Sequence, residues 1–328
     1  MKRATVLKVA SGLILVFAVL IVAGWLAFVP WAREPGYAFV TAWGEKGDGP
    51  GRFNDPTGIA VTGNEVFVAD ARNARIQVFD LEGNFRRQFG SPGDGPGQLG
   101  RPMNLTVAGG ELYVADYWND RIEVFALDGT HRRSIGRKGS GPGEFNAPGG
   151  VAVAPNGDLF VADFYNQRIQ RLRSDGTFVR QWGTTGEIGN WAGEFNYPTD
   201  VTLGRDGTLY VADGYGDRVQ AFAADGSYSH KWGGPFAINI FGPFNGWFAV
   251  ATSVAVGPEG NVFVADFYND RIQKFSPGGT FLTTFGESGD GPGRFNHAIA
   301  VAVADDGSVF VADFLHNRIQ KWRPEAKD

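Results

Sequence analysis

The sequence predicts an all-β protein, a six-bladed β-propeller with four-stranded antiparallel blades, preceded by one transmembrane α-helix. Three observations lead to this fold class. The tripeptide Val-Ala-Asp occurs six times, at steps of 46, 47, 50, 53 and 47 residues. An arginine follows each of these aspartates by five residues, and turns such as Asn-Gly and Asp-Gly separate the apolar runs. A period in the forties is typical of one propeller blade.

The first element is an uncharged stretch of 24 residues, 9–32, which predicts a transmembrane anchor. At about 1.5 Å per residue, a helix of this length crosses a bilayer core of about 30 Å. Trp25, Phe28 and Trp31 suit the aromatic belt of a membrane interface and crowd the place where a cleavage site would lie. A cleaved signal peptide is the alternative.

The charges that flank this stretch predict its orientation. Three cations precede it, whereas Arg33 follows it beside Glu34, so the positive-inside rule places the N-terminus in the cytoplasm. The predicted order is a cytoplasmic segment 1–8, an anchor 9–32, a linker 33–36, a propeller 37–323 and a tail 324–328. The chain is therefore expected to be a single-pass membrane protein with its propeller on the periplasmic or extracytoplasmic side.

The composition excludes several classes of function. The net charge is −5, and removing the three cations of residues 1–8 leaves −8 for the remainder. An acidic domain is a poor partner for phosphate backbones, so no nucleic-acid partner is expected. The chain contains no cysteine, which excludes disulfides, thiolate metal sites and cysteine nucleophiles.

The turns show how each blade forms and how the ring closes. Hairpin turns divide each of the first five units into four strands. The last unit has only three, because the chain ends soon after Trp322. The segment Phe39–Gly44 repeats the pattern of a fourth strand, as in Phe178–Gly183. We therefore expect the first strand of the propeller to complete the last blade, which protects the open edges of the sheet.

At this point the repeats resemble a known family. The linker GPGRFNDPTGIAV, the Val-Ala-Asp tripeptide and the following Arg-(Ile/Val)-Gln resemble NHL repeats over residues 37–323. The resemblance implies a propeller that serves as a platform for binding proteins or ligands. Propellers of this kind are sometimes sensor domains of membrane proteins and occasionally lyases or hydrolases.

A feature that repeats six times belongs to the scaffold, because catalysis needs one asymmetric cluster of groups. The repeated aspartates and arginines are therefore expected to form structural ion pairs. The predicted pairs are Asp70–Arg75, Asp116–Arg121, Asp163–Arg168, Asp213–Arg218, Asp266–Arg271 and Asp313–Arg318. The Phe-Asn-x-Pro linkers are likewise expected to pack between blades.

The turns between the second and third strands vary, and they are expected to surround the mouth of the central channel. Aromatic residues are enriched at binding surfaces, but half of these side chains could equally pack between blades. The predicted mouth surface comprises Arg72, Tyr117, Trp118, Tyr165, Tyr215, Tyr268, Leu315 and His316.

A metal or cofactor is not expected. The residues just before the cores of the first strands are Gly58, Asn104, Gly150, Asp200, Ser253 and Ala300. These supply too few oxygen ligands for calcium, and the four histidines do not form a zinc triad. Asn104 and Asp200 are the remaining candidates for a metal or substrate site, and no catalytic residue is assigned.

Two linkers depart most from the repeat. The linker between blades 3 and 4 contains Trp191, and the linker 234–251 between blades 4 and 5 is unusually apolar. Surface loops are normally polar, so this linker is expected either to bind a partner or the membrane surface, or to plug its own channel. The predicted partner-binding residues are Trp191, Phe236, Ile238, Ile240, Phe241, Phe244, Trp247 and Phe248.

These observations favour a membrane-tethered, non-enzymatic scaffold that docks on another membrane protein or complex. An extracytoplasmic sensor that binds a small ligand at the channel mouth is the alternative. A metal-dependent lyase or hydrolase is the third possibility.

Overall fold

The computed structural model describes residues 14–17, 19, 22, 24 and 28–326, and within them the chain forms twenty-six strands. The strands are β1 Tyr37–Trp43, β2 Pro56–Thr62, β3 Glu65–Asp70, β4 Arg75–Asp80, β5 Phe85–Phe89, β6 Pro102–Ala108, β7 Glu111–Asp116, β8 Arg121–Ala126, β9 His131–Ile135, β10 Pro148–Val153, β11 Leu159–Asp163, β12 Arg168–Leu172, β13 Phe178–Trp182, β14 Pro198–Leu203, β15 Leu209–Asp213, β16 Arg218–Phe222, β17 Tyr228–Trp232, β18 Ala251–Val256, β19 Val262–Asp266, β20 Arg271–Phe275, β21 Phe281–Phe285, β22 Glu287–Ser288, β23 Arg294–Phe295, β24 Ala298–Val303, β25 Val309–Asp313 and β26 Arg318–Pro324.

The strands form six four-stranded antiparallel sheets, which confirms the predicted six-bladed propeller. Blades 1 to 5 are β2–β5, β6–β9, β10–β13, β14–β17 and β18–β21, in sequence order within each sheet. Blade 6 has the order β24–β25–β26–β1. In it Phe39 pairs with Trp322 and Trp43 pairs with Ile319, so the first strand of the propeller closes the ring as predicted.

The hydrophobic core lies between the blades. Each of six buried clusters combines side chains from two neighbouring blades, because alternate residues of a strand point to opposite faces of its sheet. The linkers add a fully buried phenylalanine at Phe53, Phe145, Phe195, Phe248 and Phe295, and Leu99 takes this position in blade 2.

A glycine directly after the fourth strand makes room for this linker side chain. At Gly136 the backbone φ is +86°, and a Cβ there would lie 2.2 Å from the Phe145 ring. Both the positive φ and the close approach require glycine.

The repeated ion pairs tie each linker to its own blade. In five blades the arginine Nε lies 2.7–2.8 Å from a fully buried aspartate Oδ2. Arg168 also donates to the carbonyls of Ser140, Gly141 and Glu144, each at 2.9 Å. Asp163 in turn accepts the backbone N–H of Asn146 at 2.8 Å. Both members of the pair therefore bind the backbone of the linker, the arginine through its carbonyls and the aspartate through an N–H.

Blade 2 departs from this arrangement, because its predicted Asp116–Arg121 ion pair is longer than the other five. Their Nε and Oδ2 atoms are 3.9 Å apart, whereas Arg121 Nε lies 2.6 Å from Glu123 Oε1. Glu123 occupies the position after Arg-Ile or Arg-Val. The other five blades have a buried glutamine there, namely Gln77, Gln170, Gln220, Gln273 and Gln320. A second buried carboxylate beside the guanidinium therefore draws it away from Asp116.

The predicted segment 1–8 and most of the predicted anchor 9–32 lie outside the described residues, as do residues 327 and 328. Residues 14–17 are helical. Among the helical segments that the structure describes, none combines the length and the apolar character needed to cross a bilayer.

Candidate functional site

Two linkers expose apolar side chains on one side of the propeller. They join the fourth strand of one blade to the first strand of the next, between blades 3 and 4 and between blades 4 and 5. Phe236, Phe241 and Trp191 are 72%, 71% and 70% exposed. Ile188 and Ile240 of the same two linkers are also exposed. These five residues are named the apolar patch.

The remaining predicted partner-binding residues are less accessible. Phe248 is fully buried between blades 4 and 5, so its assignment to a partner surface is wrong. It occupies the repeated linker position that Phe53 and Phe145 occupy in other blades. Ile238, Phe244 and Trp247 are half-buried, with the Phe244 and Trp247 rings 5.0 Å apart in an edge contact.

The two linkers lie side by side. Arg218 of blade 4 donates from Nη1 to the carbonyl of Asn190 in the first linker and to that of Ala237, at 3.2 Å, in the second. Lys231 Nζ also reaches the Asn190 carbonyl, at 3.1 Å. Trp191 and Phe236 each adjoin one of these two carbonyl residues, so the apolar patch spans both linkers.

The N-terminal segment ends on the same linker. Trp247 donates its indole N–H to the Phe28 carbonyl, and Asn245 Nδ2 lies 3.2 Å from the Pro30 carbonyl. The Phe28 ring meets the Phe236 ring edge-on at 5.2 Å. The chain then follows the outside of blade 5, where Glu34 forms a 2.6 Å ion pair with Lys274. The segment that the sequence assigns to the membrane therefore leaves the propeller at the apolar patch.

The mouth of the central channel carries a row of stacked aromatic side chains across blades 2 to 4. Tyr117 and Tyr165 are 6.0 Å apart, Phe164 and Tyr197 are 4.9 Å apart, and Tyr197 and Tyr215 are 5.4 Å apart, all between ring centroids. Burial, and then its contact with Tyr165, raise the pKa of Tyr117. Tyr117 is therefore uncharged at physiological pH.

The other predicted mouth residues have separate surroundings. Trp118, Tyr268 and Leu315 are exposed, and Arg72 forms an ion pair with Asp55. His316 is only 16% exposed, with Nδ1 2.9 Å from Asp313 and Nε2 3.1 Å from Asp290. It replaces the asparagine that binds this aspartate in several other blades, so its contacts are those of the scaffold.

Sequence reasoning missed three residues of the mouth. Phe164 and Tyr197 complete the aromatic row, and Arg101 lies over the Trp118 ring at 5.5 Å. Arg101 and Tyr197 occupy the residue before the first strand of a blade, where the other blades have Asp55, Ala147, Val250 and His297. Comparing the repeats at this variable position would have found both.

Asp200 lies in the channel wall, where a cavity of about 140 Å³ is also lined by Asn104 and Ser253. Its Oδ2 accepts the Ser253 hydroxyl at 2.9 Å and the Val254 N–H at 3.1 Å. Its Oδ1 faces Gly150, where a Cβ would lie 2.2 Å away. Burial raises the pKa of Asp200 to about 7, because desolvation disfavours the charged form.

This raised pKa predicts a pH-dependent stability. The unfolded carboxyl ionises near its ordinary pKa of 3.8, whereas the folded one stays protonated until about pH 7. The free energy of unfolding therefore loses about 4 kcal/mol from this group between pH 4 and pH 8. Asp200→Asn is expected to lack this loss in denaturant titrations at both pH values. A difference between the two proteins that stays constant with pH would contradict the assignment.

Asn104 and Asp200 do not join a ligand set for a metal. Within the described part of the chain, no group of three or more histidine, aspartate or glutamate side chains is placed to hold an ion. Asp200 Oδ2 already accepts two hydrogen bonds, from Ser253 and Val254.

Solved structures share this fold at low sequence identity. A structural genomics protein of unknown function from Bacteroides thetaiotaomicron is 18% identical with a TM-score of 0.66, over 88% of this chain and 76% of that one. A streptogramin B lyase is 16% identical with a TM-score of 0.59, over 83% and 94%. An inactive virginiamycin B lyase from Staphylococcus aureus with quinupristin is 18% identical with a TM-score of 0.56, over 89% and 88%.

Relatives among characterised proteins match over a single stretch. Protein brain tumor of Drosophila melanogaster is 50% identical over 48 residues, and B-box type zinc finger protein ncl-1 of Caenorhabditis elegans is 51% identical over 47 residues. Each stretch is 14% of this chain and covers 5% and 6% of the length of the two relatives. The similarity is therefore confined to about one repeat.

The family comparison identifies that repeat. The NHL repeat model matches residues 53–79, 145–172, 195–222 and 248–275. These segments begin at the buried linker phenylalanine and end in the third strand of blades 1, 3, 4 and 5. The chain is thus a six-bladed β-propeller in which four blades contain segments that match the NHL repeat.

Proposed function

We propose that this chain is a membrane-tethered, non-enzymatic interaction module whose apolar patch docks on another membrane protein. The contact between the N-terminal segment and the linker 234–251 is the observation that supports it most. Residues 9–32 form the proposed anchor, and its outer end at Phe28 and Pro30 contacts Phe236 and Asn245. The apolar patch then lies beside the bilayer surface, within reach of the extracytoplasmic part of a neighbouring membrane protein.

The chemistry of the patch fits a protein partner. Trp191, Phe236 and Phe241 each expose more than two thirds of their surface, and interface energy usually concentrates in a few large aromatic side chains. The linker that presents Phe236 and Phe241 is held rigidly, because Arg218 binds its backbone and its own Phe248 is buried between the blades. A rigid patch loses little conformational entropy on binding. None of residues 234–251 is among those that line the cavity of about 230 Å³ at the channel mouth, which supports docking rather than plugging.

We expect Phe236→Ser combined with Phe241→Ser to weaken this association about 30-fold or more, which is the cost of truncating a true anchor residue, about 2 kcal/mol. The melting temperature should stay nearly unchanged, because both side chains are exposed. The full chain is extracted from membranes in mild detergent, and the size of its complex is measured for both proteins. In the same preparation, alkaline carbonate should leave the chain in the membrane pellet.

A photoreactive amino acid identifies what covers the patch. Placed at position 241, it is expected to form one discrete protein adduct. Placed at Val179, which is exposed on the outer strand of blade 3, it should form none. Adducts with lipid alone at position 241 would overturn docking on a protein and assign the patch to the bilayer. A large fall in melting temperature of the double variant would instead make the patch part of the fold.

A further inference from the structure

The chain departs from its own repeat where blade 2 begins. The residue before the first strand has a positive φ at Asp55, Ala147, Tyr197, Val250 and His297. Arg101, at the sixth of these positions, does not. The N–H of each of the other five donates to a side chain in the turn of the preceding blade, namely Asn317, Asp120, Gln167, Asp217 and Asp270. The matching turn of blade 1 has Ala74, whose side chain accepts nothing.

This substitution releases Arg101 from the repeated geometry. Its backbone N–H donates instead to Asp116 Oδ1 at 3.0 Å, beside that of Gly100 at 2.9 Å. The guanidinium lies over the Trp118 ring, and its nearest carboxylate oxygen, on Asp55, is 4.0 Å away. Asp55 is already paired with Arg72. Among the described residues, Arg101 therefore presents a guanidinium without a hydrogen-bonded partner.

A cavity of about 230 Å³ opens beside this guanidinium at the channel mouth. Arg101, Asn104, Tyr117, Phe164 and Thr252 are among its lining residues. One wall is therefore cationic, one side is aromatic, and the floor has an amide and a hydroxyl. The volume is below the range usual for drug-sized ligands and suits a molecule with a single ring.

Two polar groups on the floor of this cavity are left without partners in the described structure. Asn104 is 9% exposed, and its amide makes no hydrogen bond to a described residue. The buried Thr252 hydroxyl also has none. The equivalent hydroxyls of Thr57 and Thr199 donate to the carbonyls of Pro102 and Ala251, each at 2.8 Å. Leaving the buried Thr252 hydroxyl unpaired is unfavourable, and a ligand would satisfy it together with the Asn104 amide.

We infer that the mouth cavity binds a small aromatic carboxylate. Arg101 binds the carboxylate through its paired N–H donors, which match the two oxygens. Tyr117 and Phe164 pack against the ring, and Asn104 and Thr252 bind a polar substituent. The neighbouring Asp55 carboxylate disfavours a dianion such as a phosphate monoester. The site is separate from the apolar patch and does not depend on the docking proposal.

The test compares two acids with their neutral amides. Benzoate and 4-hydroxybenzoate, with benzamide and 4-hydroxybenzamide, are titrated into the full chain at pH 7 by calorimetry. We expect at least one acid to bind at least tenfold more tightly than its amide. Arg101→Met should reduce the affinity for that acid to that for the amide, without changing the melting temperature of the free protein, because this guanidinium has no hydrogen bond to lose.

Two further variants make the result specific. Arg137→Met removes an exposed cation that does not line the cavity, and it should change the affinity for the acids less than threefold. Asn104→Ala should reduce the preference for 4-hydroxybenzoate over benzoate. The inference is overturned if neither acid binds, if acids and amides bind equally, or if Arg101→Met and Arg137→Met lose the same affinity.

Discussion

Asp163→Ala is expected to lower the free energy of unfolding by about 3–5 kcal/mol, the cost of leaving one partner of a buried ion pair uncompensated. The Arg168 side chain is 2% exposed, and its Nε lies 2.8 Å from Asp163. The aspartate also accepts hydrogen bonds from Asn166 at 2.9 Å and Gln170 at 3.1 Å. Its removal therefore leaves the buried Arg168 charge uncompensated and takes one hydrogen bond each from Asn166 and Gln170. Chemical denaturation of the two proteins measures the difference.

Two other pairs serve as controls for this prediction. Arg137→Ala removes a surface ion pair with Glu144, in which the arginine side chain is 80% exposed. This change should lower the free energy of unfolding by less than about 1 kcal/mol. Asp116→Ala should cost less than Asp163→Ala, since Arg121 keeps Glu123 at 2.6 Å. Equal losses for Asp163→Ala and Arg137→Ala would show that the repeated pairs do not stabilise the blades.

A chain that begins at Gly44 is expected to be far less stable than one that begins at Glu34, and to aggregate. Removing β1 leaves β26 as an unpaired edge of blade 6, and exposed edges template pairing with other chains. It also removes Tyr37, stacked on Phe285 at 4.6 Å, and Trp43, which lies 5.9 Å from Phe79 and 6.1 Å from Phe310. The ring would then lose contacts between blade 6 and both of its neighbours.

Thermal melts and light scattering of the two shortened chains check this result. The longer one retains the whole of β1 and the ion pair between Glu34 and Lys274, so it serves as the matched control for loss of the N-terminal segment. Equal melting temperatures and equal scattering would refute the stabilising role of ring closure by β1.

The architecture could be predicted because its signals are local and repeated six times. Turn residues, strand alternation and the position of each Val-Ala-Asp all lie within one blade. Ring closure followed from counting strands, since Phe39–Trp43 matches a strand that the C-terminal unit lacks. Five of the six ion pairs also followed, because each joins two residues at the end of one hairpin.

The details of the candidate sites could not be predicted in the same way. Phe241 and Phe248 are both aromatic residues of one linker, yet the first is 71% exposed and the second fully buried. Which of them enters the core depends on the space that blades 4 and 5 leave between them. Likewise, Arg121 lies closer to Glu123 than to Asp116, because two buried carboxylates compete for one guanidinium. The distances that decide this competition are established only when the blade is packed.

By itself, the sequence determined the number of blades and the repeated scaffold, since these depend on contacts within a repeat of about fifty residues. It also determined the closure of the ring, because the first strand repeats the pattern that the last unit lacks. The tertiary structure alone placed Phe28 against Phe236 and opened a cavity beside Arg101 and Thr252. Thr252 lies about 150 positions after Arg101 in the chain. No local pattern relates residues so far apart, and only the circular arrangement of the blades brings them to one channel mouth.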